Sequence, residues 1–239
     1  DLRFEANGKQ LEWKRDPVEL WAFHVDLPEG ANSLTAKFIH TAPRQDSEGR
    51  VTMTPDMLNL QWEKVSLYPA GHYVRRIAIR PSLTLPRGWA AATALDGRGT
   101  EGERLTWAET SYETLVDSPV FAGRHFRKWD LGEGVTLNLF ADAADGLAAK
   151  PEHIAAYRAL VAEGLLAFGA KHFDHYEILL AATDRLSGIG LEHHRSSENT
   201  LDADAFTDWD KGESDRDLVP HEFSHSWVGK YRRPARVWA

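Results

Sequence analysis

Apolar and polar residues alternate in short runs over roughly the first 140 residues of the chain. The runs are rich in β-branched and aromatic residues and are bounded by Gly, Pro or Asp, which is typical of strands. Segments of this kind are 34–40, 73–80 and 103–109. Turn sequences of the form Pro-x-Gly lie at 27–30, 68–71 and 85–88. The pattern predicts an all-β, sandwich-like domain over residues 1–142.

The rest of the chain, residues 143–239, has a different pattern. Apolar residues recur there at steps of three and four, which predicts a helix from Pro151 to about Ala170 with one core-facing side. The apolar run at 176–182 predicts a buried strand, and the run at 189–195 predicts an edge strand. Together with one further helix near the end of the chain, these elements predict a compact α+β lobe.

Composition narrows the classes of function. The chain has 239 residues, of which 42% are hydrophobic, enough for one large or two ordinary domains with a sizeable core. A net charge of -8 without any basic run argues against nucleic acid or an anionic membrane as a partner, and no apolar run is long enough for a membrane span. The lack of cysteine excludes a disulfide framework, a thiolate nucleophile and a Cys-type zinc site. Asp1 as the first residue, with no signal peptide before it, predicts a processed or trimmed chain.

His221, Glu222 and His225 form an H-E-x-x-H pattern. Residues four apart on a helix share a face, so His221 and His225 can present two imidazoles to one zinc ion. Glu222 then borders the metal, where its carboxylate can accept a proton from a water that the metal has made more acidic. The pattern indicates metal-assisted peptide hydrolysis. The alternative is an accidental match on an ordinary helix face.

Two other motif matches do not indicate a site. Residues 97–102 satisfy G-x-G-x-x-G, but strand-like residues follow them, whereas a dinucleotide-binding loop opens a helix. Eight acidic residues lie in the segment Glu198–Asp217. No EF-hand register fits this segment, since Phe206 and Glu213 occupy positions that need a ligand and a glycine. We expect a flexible hairpin loop at the first match and a solvated acidic loop at the second.

Several short motifs accompany the H-E-x-x-H pattern. Gly190-Leu191-Glu192-His193 precedes it, with twenty-nine residues from Glu192 to His221. The others are His225-Ser226-Trp227, Lys230-Tyr231-Arg232-Arg233-Pro234, Leu67-Tyr68-Pro69-Ala70-Gly71, Leu85-Pro86-Arg87-Gly88-Trp89 and Leu115-Val116-Asp117-Ser118-Pro119-Val120. The set resembles the glycyl aminopeptidase family of zinc peptidases, peptidase family M61. The resemblance implies an N-terminal β domain followed by the N-terminal lobe of a thermolysin-like, gluzincin-type metallopeptidase domain.

The resemblance also implies roles for the residues of the first motif. Glu192 is expected to bind the free α-amino group of a peptide, and the strand of Gly190 and Leu191 is expected to bind the substrate backbone. A carboxylate that pairs with the substrate ammonium would fix the scissile bond one residue from the N-terminus. The alternative is an ordinary edge-strand carboxylate. His193 and His194 are expected to be supporting or surface residues rather than metal ligands.

A zinc ion usually takes three protein ligands, and in gluzincins the third is a Glu downstream of the helix. Residues 226–239 contain no Asp, Glu, His or Cys. We therefore expect a chain truncated after the H-E-x-x-H helix, with the remainder of the catalytic domain, and the PDZ-like domain of many relatives, in the same or a separate polypeptide. The pair Val228-Gly229 also departs from the Asn-containing stretch common in relatives. Zinc binding by this chain alone is expected to be weak.

Three functions remain open. The leading one is a zinc-dependent aminopeptidase with Glu222 as general base, which removes small N-terminal residues such as Gly or Ala, a preference implied by the resemblance alone. The second is a zinc endopeptidase in which Glu192 does not bind the α-amino group of the substrate. The third is a non-catalytic peptide-binding or protein-binding fragment. The resemblance favours a periplasmic or secreted location over a cytoplasmic one.

Overall fold

The computed structural model describes residues 1–233, which form mostly β-sheets with few helices. Pro234, the last residue of the predicted motif that begins at Lys230, lies outside the described residues. Within residues 1–233, no helix is both long enough and apolar enough to cross a membrane.

The first half of the chain contains thirteen strands and one short helix. The strands are β1 (Leu2–Ala6), β2 (Lys9–Leu11), β3 (Trp13–Arg15), β4 (Phe23–Val25), β5 (Thr35–Phe38), β6 (Met57–Leu60), β7 (Ala78–Ile79), β8 (Ser82–Thr84), β9 (Ala90–Ala92), β10 (Gly99–Glu101), β11 (Arg104–Thr106), β12 (Thr110–Ser111) and β13 (Val120–Gly123). The helix α1 (Tyr112–Val116) precedes β13 and begins where the Ser111 side chain accepts a hydrogen bond from the Thr114 backbone N–H.

These strands pair into small antiparallel sheets rather than two large ones. The sheet orders are β2-β1-β5, β3-β4, β10-β11-β8, β12-β7 and β6-β13-β9. A shared core lies between the last three of them, where Trp62 and Trp107 pack edge to face with ring centroids 6.2 Å apart. The match at 97–102 is part of a hairpin, but Gly99–Glu101 form β10 itself, so the loop of the hairpin is shorter than the sequence predicted.

The second half forms one mixed sheet and two helices. Its elements are β14 (His125–Gly132), β15 (Val135–Ala141), α2 (Pro151–Phe168), β16 (Tyr176–Ala182), β17 (Gly190–Glu192), β18 (Ser196–Leu201) and α3 (Leu218–His225). The sheet order is β14-β15-β16-β18-β17, in which β15, β16 and β18 run parallel and the two outer strands run antiparallel to their neighbours. Because β16 lies at the centre of the sheet, both of its faces are covered, which explains its continuous apolar sequence.

The mixed sheet has a helical layer on one face and an N-terminal sheet on the other. Leu137 and Ile178 point to the helical face and pack with residues of α2 and α3. The opposite face meets β6, β9 and β13, and Phe121 and Phe140 pack there with ring centroids 6.3 Å apart. The buried residues of this second cluster are Met57, Ala92, Phe121, Phe140, Leu179, Ala181 and Leu186. The N-terminal β-sheets therefore support the sheet that carries the candidate site.

Two expectations from the sequence need comment. The predicted strand at 73–80 is only partly a strand, since Val74–Arg76 forms a 3-10 turn and β7 begins at Ala78. Its apolar residues, Val74, Ile77 and Ile79, follow no strict period of two. The predicted division at residue 142 falls after β14 and β15, which belong to the same sheet as β16. The boundary between two domains stays a prediction. The pairing of β14 with β15 and of β15 with β16 favours a boundary near Arg124, before β14.

Candidate metal centre

Helix α3 carries the H-E-x-x-H motif and has a buried side and an open side. Val219 and Phe223 are buried in the core shared with α2. Helices α2 and α3 approach closely at Gly164 of α2, where an added Cβ would lie 3.2 Å from a ring carbon of Phe223. His221 and His225 both lie on the open side, because residues four apart share one face of a helix. His221 is exposed and His225 is half-buried.

The two histidines present their imidazoles to each other. The Nε2 atoms of His221 and His225 lie 3.0 Å apart, and the ring planes are inclined by 82°. A tetrahedral zinc ion bound at about 2.0–2.1 Å to two imidazoles separates their nitrogens by about 3.3 Å. A small side-chain adjustment would accommodate such an ion, so these residues fit zinc.

A backbone carbonyl orients the ring of His225. Its Nδ1 lies 2.9 Å from the carbonyl oxygen of Val228. A carbonyl oxygen can only accept, so Nδ1 carries the hydrogen and, in the neutral ring, the lone pair of Nε2 faces His221. This arrangement prepares the nitrogen for a metal ion.

Glu222 is buried beside the histidines, with only 5% of its surface exposed. Burial raises the pKa of its carboxyl, the nearby Glu192 carboxylate raises it further, and His221 and His225 act in the opposite direction. The carboxylate contacts Gly190 of β17 so closely that a Cβ at this glycine would overlap Oε1 of Glu222. The glycine therefore allows the edge strand to lie against the metal helix.

Glu192 ends the same edge strand and lies near His225. A Cβ added at Gly229 would lie 3.5 Å from Nδ1 of His225 and 4.0 Å from Oε1 of Glu192. The Glu192 carboxylate and the His225 ring therefore flank one turn after α3. The predicted residues His221, Glu222, His225, Gly190 and Glu192 thus lie together, and their roles stay predictions.

Within residues 1–233, β17 is an edge strand whose backbone pairs with β18 on one side and with no strand on the other. Residues of β17 and β18 pair in the register Gly190↔Asn199, Leu191↔Glu198 and Glu192↔Ser197. The backbone N–H of Thr200 donates to the carbonyl of Ile189, and that of His193 donates to the carbonyl of Ser196. In an antiparallel pair the hydrogen-bonded positions alternate, so residues 189, 191 and 193 face β18. Leu191 therefore directs its backbone groups to β18, whereas those of Gly190 and Glu192 point outward. A role for Leu191 in substrate binding stays a prediction.

Glu198 corrects the expectation of a solvated acidic loop over 198–217. It lies in β18 and is completely buried. Its carboxylate accepts hydrogen bonds from Asn59, from Gln61 at 3.1 Å and from His193 at 3.0 Å. These partners neutralise and hydrogen-bond a carboxylate that could not otherwise be buried. The remaining acidic residues follow β18, in a segment that contains 3-10 turns at Lys211–Glu213 and Asp215–Asp217.

His193 and His194 both contact Asp117 and not the metal helix. Nδ1 of His193 lies 3.2 Å from Oδ1 of Asp117, and Nδ1 of His194 lies 2.7 Å from Oδ2. His193 is buried and His194 is exposed. Within residues 1–233, neither histidine lies in the group His221, Glu222 and His225 that could hold a metal ion, and a supporting role for them stays a prediction.

The described residues bring no further carboxylate or imidazole into this group. Within residues 1–233, the ligand atoms that lie within 4.8 Å of one another here belong to His221, Glu222 and His225. One other such group consists of Asp96, Asp174 and His175, but Arg195 already forms ion pairs with both of its carboxylates.

Comparison with solved structures gives long matches at low identity. An aminopeptidase N family protein from Idiomarina loihiensis matches 98% of this chain with a TM-score of 0.69 and 16% identity. An M1 zinc metallopeptidase from Deinococcus radiodurans matches 95% with a TM-score of 0.53 and 15% identity. Leukotriene A4 hydrolase from Saccharomyces cerevisiae matches 95% with a TM-score of 0.53 and 14% identity. These likenesses show a shared fold.

The chain spans only part of each of these proteins. It covers 40% of the first, 54% of the second and 37% of the third. No curated protein sequence matches the chain significantly.

A family model gives the closer relationship. The model described as the peptidase M61 N-terminal domain matches residues 1–124, which is more than half of the 239 residues. The match contains three of the motifs quoted above, at 67–71, 85–89 and 115–120. It ends at Arg124, directly before the first strand of the mixed sheet. By this match the chain belongs to peptidase family M61.

Proposed function

We propose that this chain supplies the zinc-binding and substrate-binding part of a metallo-aminopeptidase. One arrangement carries the proposal: two imidazole nitrogens 3.0 Å apart, a buried carboxylate beside them, and an edge strand ending in a second carboxylate. His221 and His225 would hold the ion. When bound, zinc supplies Lewis acidity, which makes water a nucleophile near neutral pH and polarises a carbonyl.

Glu222 is the proton acceptor in this proposal. Its carboxylate can take the proton of the attacking water and pass it to the amine that leaves when the peptide bond breaks. Burial raises its pKa, which brings a carboxyl closer to the range where it can both accept and return a proton near neutral pH.

Glu192 and the outward backbone of β17 would hold the substrate. The free N–H and C=O groups of Gly190 and Glu192 offer an extended peptide the hydrogen bonds of an added strand. The Glu192 carboxylate would pair with the substrate α-ammonium, which places the first peptide bond at the metal. A preference for N-terminal Gly or Ala rests only on the family resemblance.

We further propose that the remaining zinc ligand comes from polypeptide outside the described residues, in the same or a separate chain. The described residues contribute two imidazoles to the ion, and catalytic zinc sites use three protein ligands. The chain also covers about half or less of the solved structures it resembles. We call this chain together with that polypeptide the assembled enzyme.

Paired substrates test the proposal. The assembled enzyme should hydrolyse an Ala-initiated peptide and spare its N-acetylated form, and chelation of zinc should abolish the activity. Glu192→Gln keeps the shape of the side chain but removes its charge. It should raise KM for the free peptide by roughly tenfold to a hundredfold, the value of a hydrogen bond to a charged group.

Three results would contradict the proposal in different ways. Equal hydrolysis of the free and acetylated peptides would indicate an endopeptidase. A preference for the free peptide that survives Glu192→Gln would show that another group reads the amine. The absence of any zinc-dependent hydrolysis would indicate a binding fragment.

A further inference from the structure

His193 lies between two carboxylates that come from different parts of the molecule. Its Nδ1 is 3.2 Å from Asp117, and its Nε2 is 3.0 Å from Glu198. A carboxylate accepts hydrogen bonds, so both ring nitrogens must donate and the ring is an imidazolium. Only 6% of the surface of His193 is exposed, which makes these two contacts strong and their loss costly.

The N-terminal β-sheets anchor both ends of this arrangement. Asp117 follows α1, and its neighbour Ser118 accepts a hydrogen bond from the buried Trp62 indole at 3.0 Å. Glu198 is held by Asn59 of β6 and by Gln61, which follows that strand. Asp117 and the side chains that hold Glu198 thus belong to the N-terminal part, whereas Glu198 itself lies in β18.

The charges around the imidazolium are nearly balanced. Asp117 also pairs with Lys230 at 3.3 Å, in the turn after α3, and with the exposed His194. Beyond Glu198, Arg50 donates to the Asn59 side chain at 2.7 Å. The network therefore runs from the N-terminal sheets, through the β17–β18 turn, to the turn that follows the metal helix.

Strand β17 is short, and this network holds its C-terminal end, in addition to its pairing with β18 and the packing of Gly190 against α3. It has three residues, and β18 is its one neighbour in the sheet order. His193 directly follows Glu192, and its own backbone N–H closes the turn onto Ser196. A shift of the imidazole would therefore move Glu192 relative to Glu222 and His225.

We propose that His193 is a positioning residue, clamped as an imidazolium between Asp117 and Glu198, that fixes the strand carrying Glu192 against the metal helix. This inference rests on the proposed role of Glu192 in binding the substrate amine. His193 touches no reacting atom itself. The contact instead makes recognition of the amine dependent on the N-terminal β-sheets.

His193→Gln tests the clamp, because the glutamine amide lacks the charge and cannot donate from both sides as the ring does. In the assembled enzyme, KM for the free peptide should rise about tenfold with kcat little changed. The ratio of kcat/KM for the free peptide to that for the N-acetylated peptide should therefore fall. Backbone hydrogen exchange at Leu191 and His193, whose N–H groups face β18 and the turn, should accelerate about tenfold or more, with exchange in α3 unchanged. The matched control is His194→Gln, which alters the exposed histidine on the same Asp117 and should change neither quantity.

Unchanged KM and unchanged exchange in His193→Gln would overturn the inference, and so would equal losses of kcat and zinc binding without a change in KM. If wild type itself does not distinguish free from acetylated peptides, the proposed function fails, and hydrogen exchange at Leu191 and His193 alone decides the clamp. If His193→Gln does not fold, the wild-type protein provides the test. Nitrogen NMR at about pH 8 should find both ring nitrogens of His193 protonated, whereas one neutral tautomer would refute the clamp.

Discussion

His193 has a protonation equilibrium set by two opposing causes. Burial lowers the pKa of its imidazolium, but hydrogen bonds to Asp117 and Glu198 outweigh burial and raise it to about 9 from an ordinary 6.5. The raised value means that folding favours the protonated ring. Its contribution to the free energy of unfolding is therefore complete below about pH 6.5 and is lost as the pH rises through about 9.

We predict that the protein loses stability between about pH 6.5 and 9 through this residue, by an amount on the order of 3 kcal/mol. Urea unfolding of wild type, His193→Gln and His194→Gln across this range measures the effect. His193→Gln should be less stable at the acidic end and lack most of the slope, whereas His194→Gln should retain it. If the free energy of unfolding of His193→Gln still falls between about pH 6.5 and 9 as in wild type, a group other than His193 causes the loss of stability.

The site residues differ in how far the sequence could predict them. His221, Glu222 and His225 were predictable because helix geometry alone places the two histidines on one face and the carboxylate beside them. The burial of Glu198 was not, since it depends on Asn59, which lies 139 residues away in the chain. A carboxylate is buried only where partners neutralise it, and a local sequence pattern does not show such partners.

At the scale of elements, the site depends on a close contact between β17 and α3. Gly190 makes the contact possible, because a side chain there would overlap both Glu222 and Leu218. The glycine is needed for space, and the edge strand could not otherwise lie against the helix.

We predict that Gly190→Ala displaces Glu222 and lowers turnover of the assembled enzyme, and that it reduces the free energy of unfolding by about 1–3 kcal/mol. Gly188→Ala is the matched control, since no atom lies within 4 Å of the Cβ it would add. Its stability should change by less than about 0.5 kcal/mol. Kinetics and urea unfolding of the two variants provide the comparison. Equal behaviour of the pair would show that the strand and helix need no close approach.

Elements with strong apolar periodicity were predicted well. The helix α2 and the strand β16 lie where the sequence placed them, because a helical stripe and a central buried strand each have a distinctive pattern. Strand β18 was missed. Its residues Ser196–Asn199 are all buried but polar, so the segment resembles a loop, and only pairing with β16 and β17 makes it a strand.

At the scale of the whole molecule, the mixed sheet is held between α2 and α3 on one face and the N-terminal sheets on the other. The candidate metal centre lies at the edge of this arrangement, where β17 meets α3 and the network of His193 reaches both. The N-terminal part is thus a support for the site as well as a family signature. Sequence motifs predicted both parts but not the contact between them. No local pattern shows that Asn59 would bind Glu198 or that Asp117 would bind His193.

Hydrolysis with Glu222 as the proton acceptor is tested most directly by Glu222→Gln in the assembled enzyme, with zinc content and kcat measured on the same sample. Glutamine has nearly the same shape but accepts no proton at neutral pH, so zinc should remain bound through His221 and His225 while kcat falls about 10²–10⁴-fold. Glu213→Gln, on the exposed segment before α3, should leave both quantities unchanged. A Glu222→Gln enzyme that keeps its zinc and more than about a tenth of its kcat would contradict the role of Glu222.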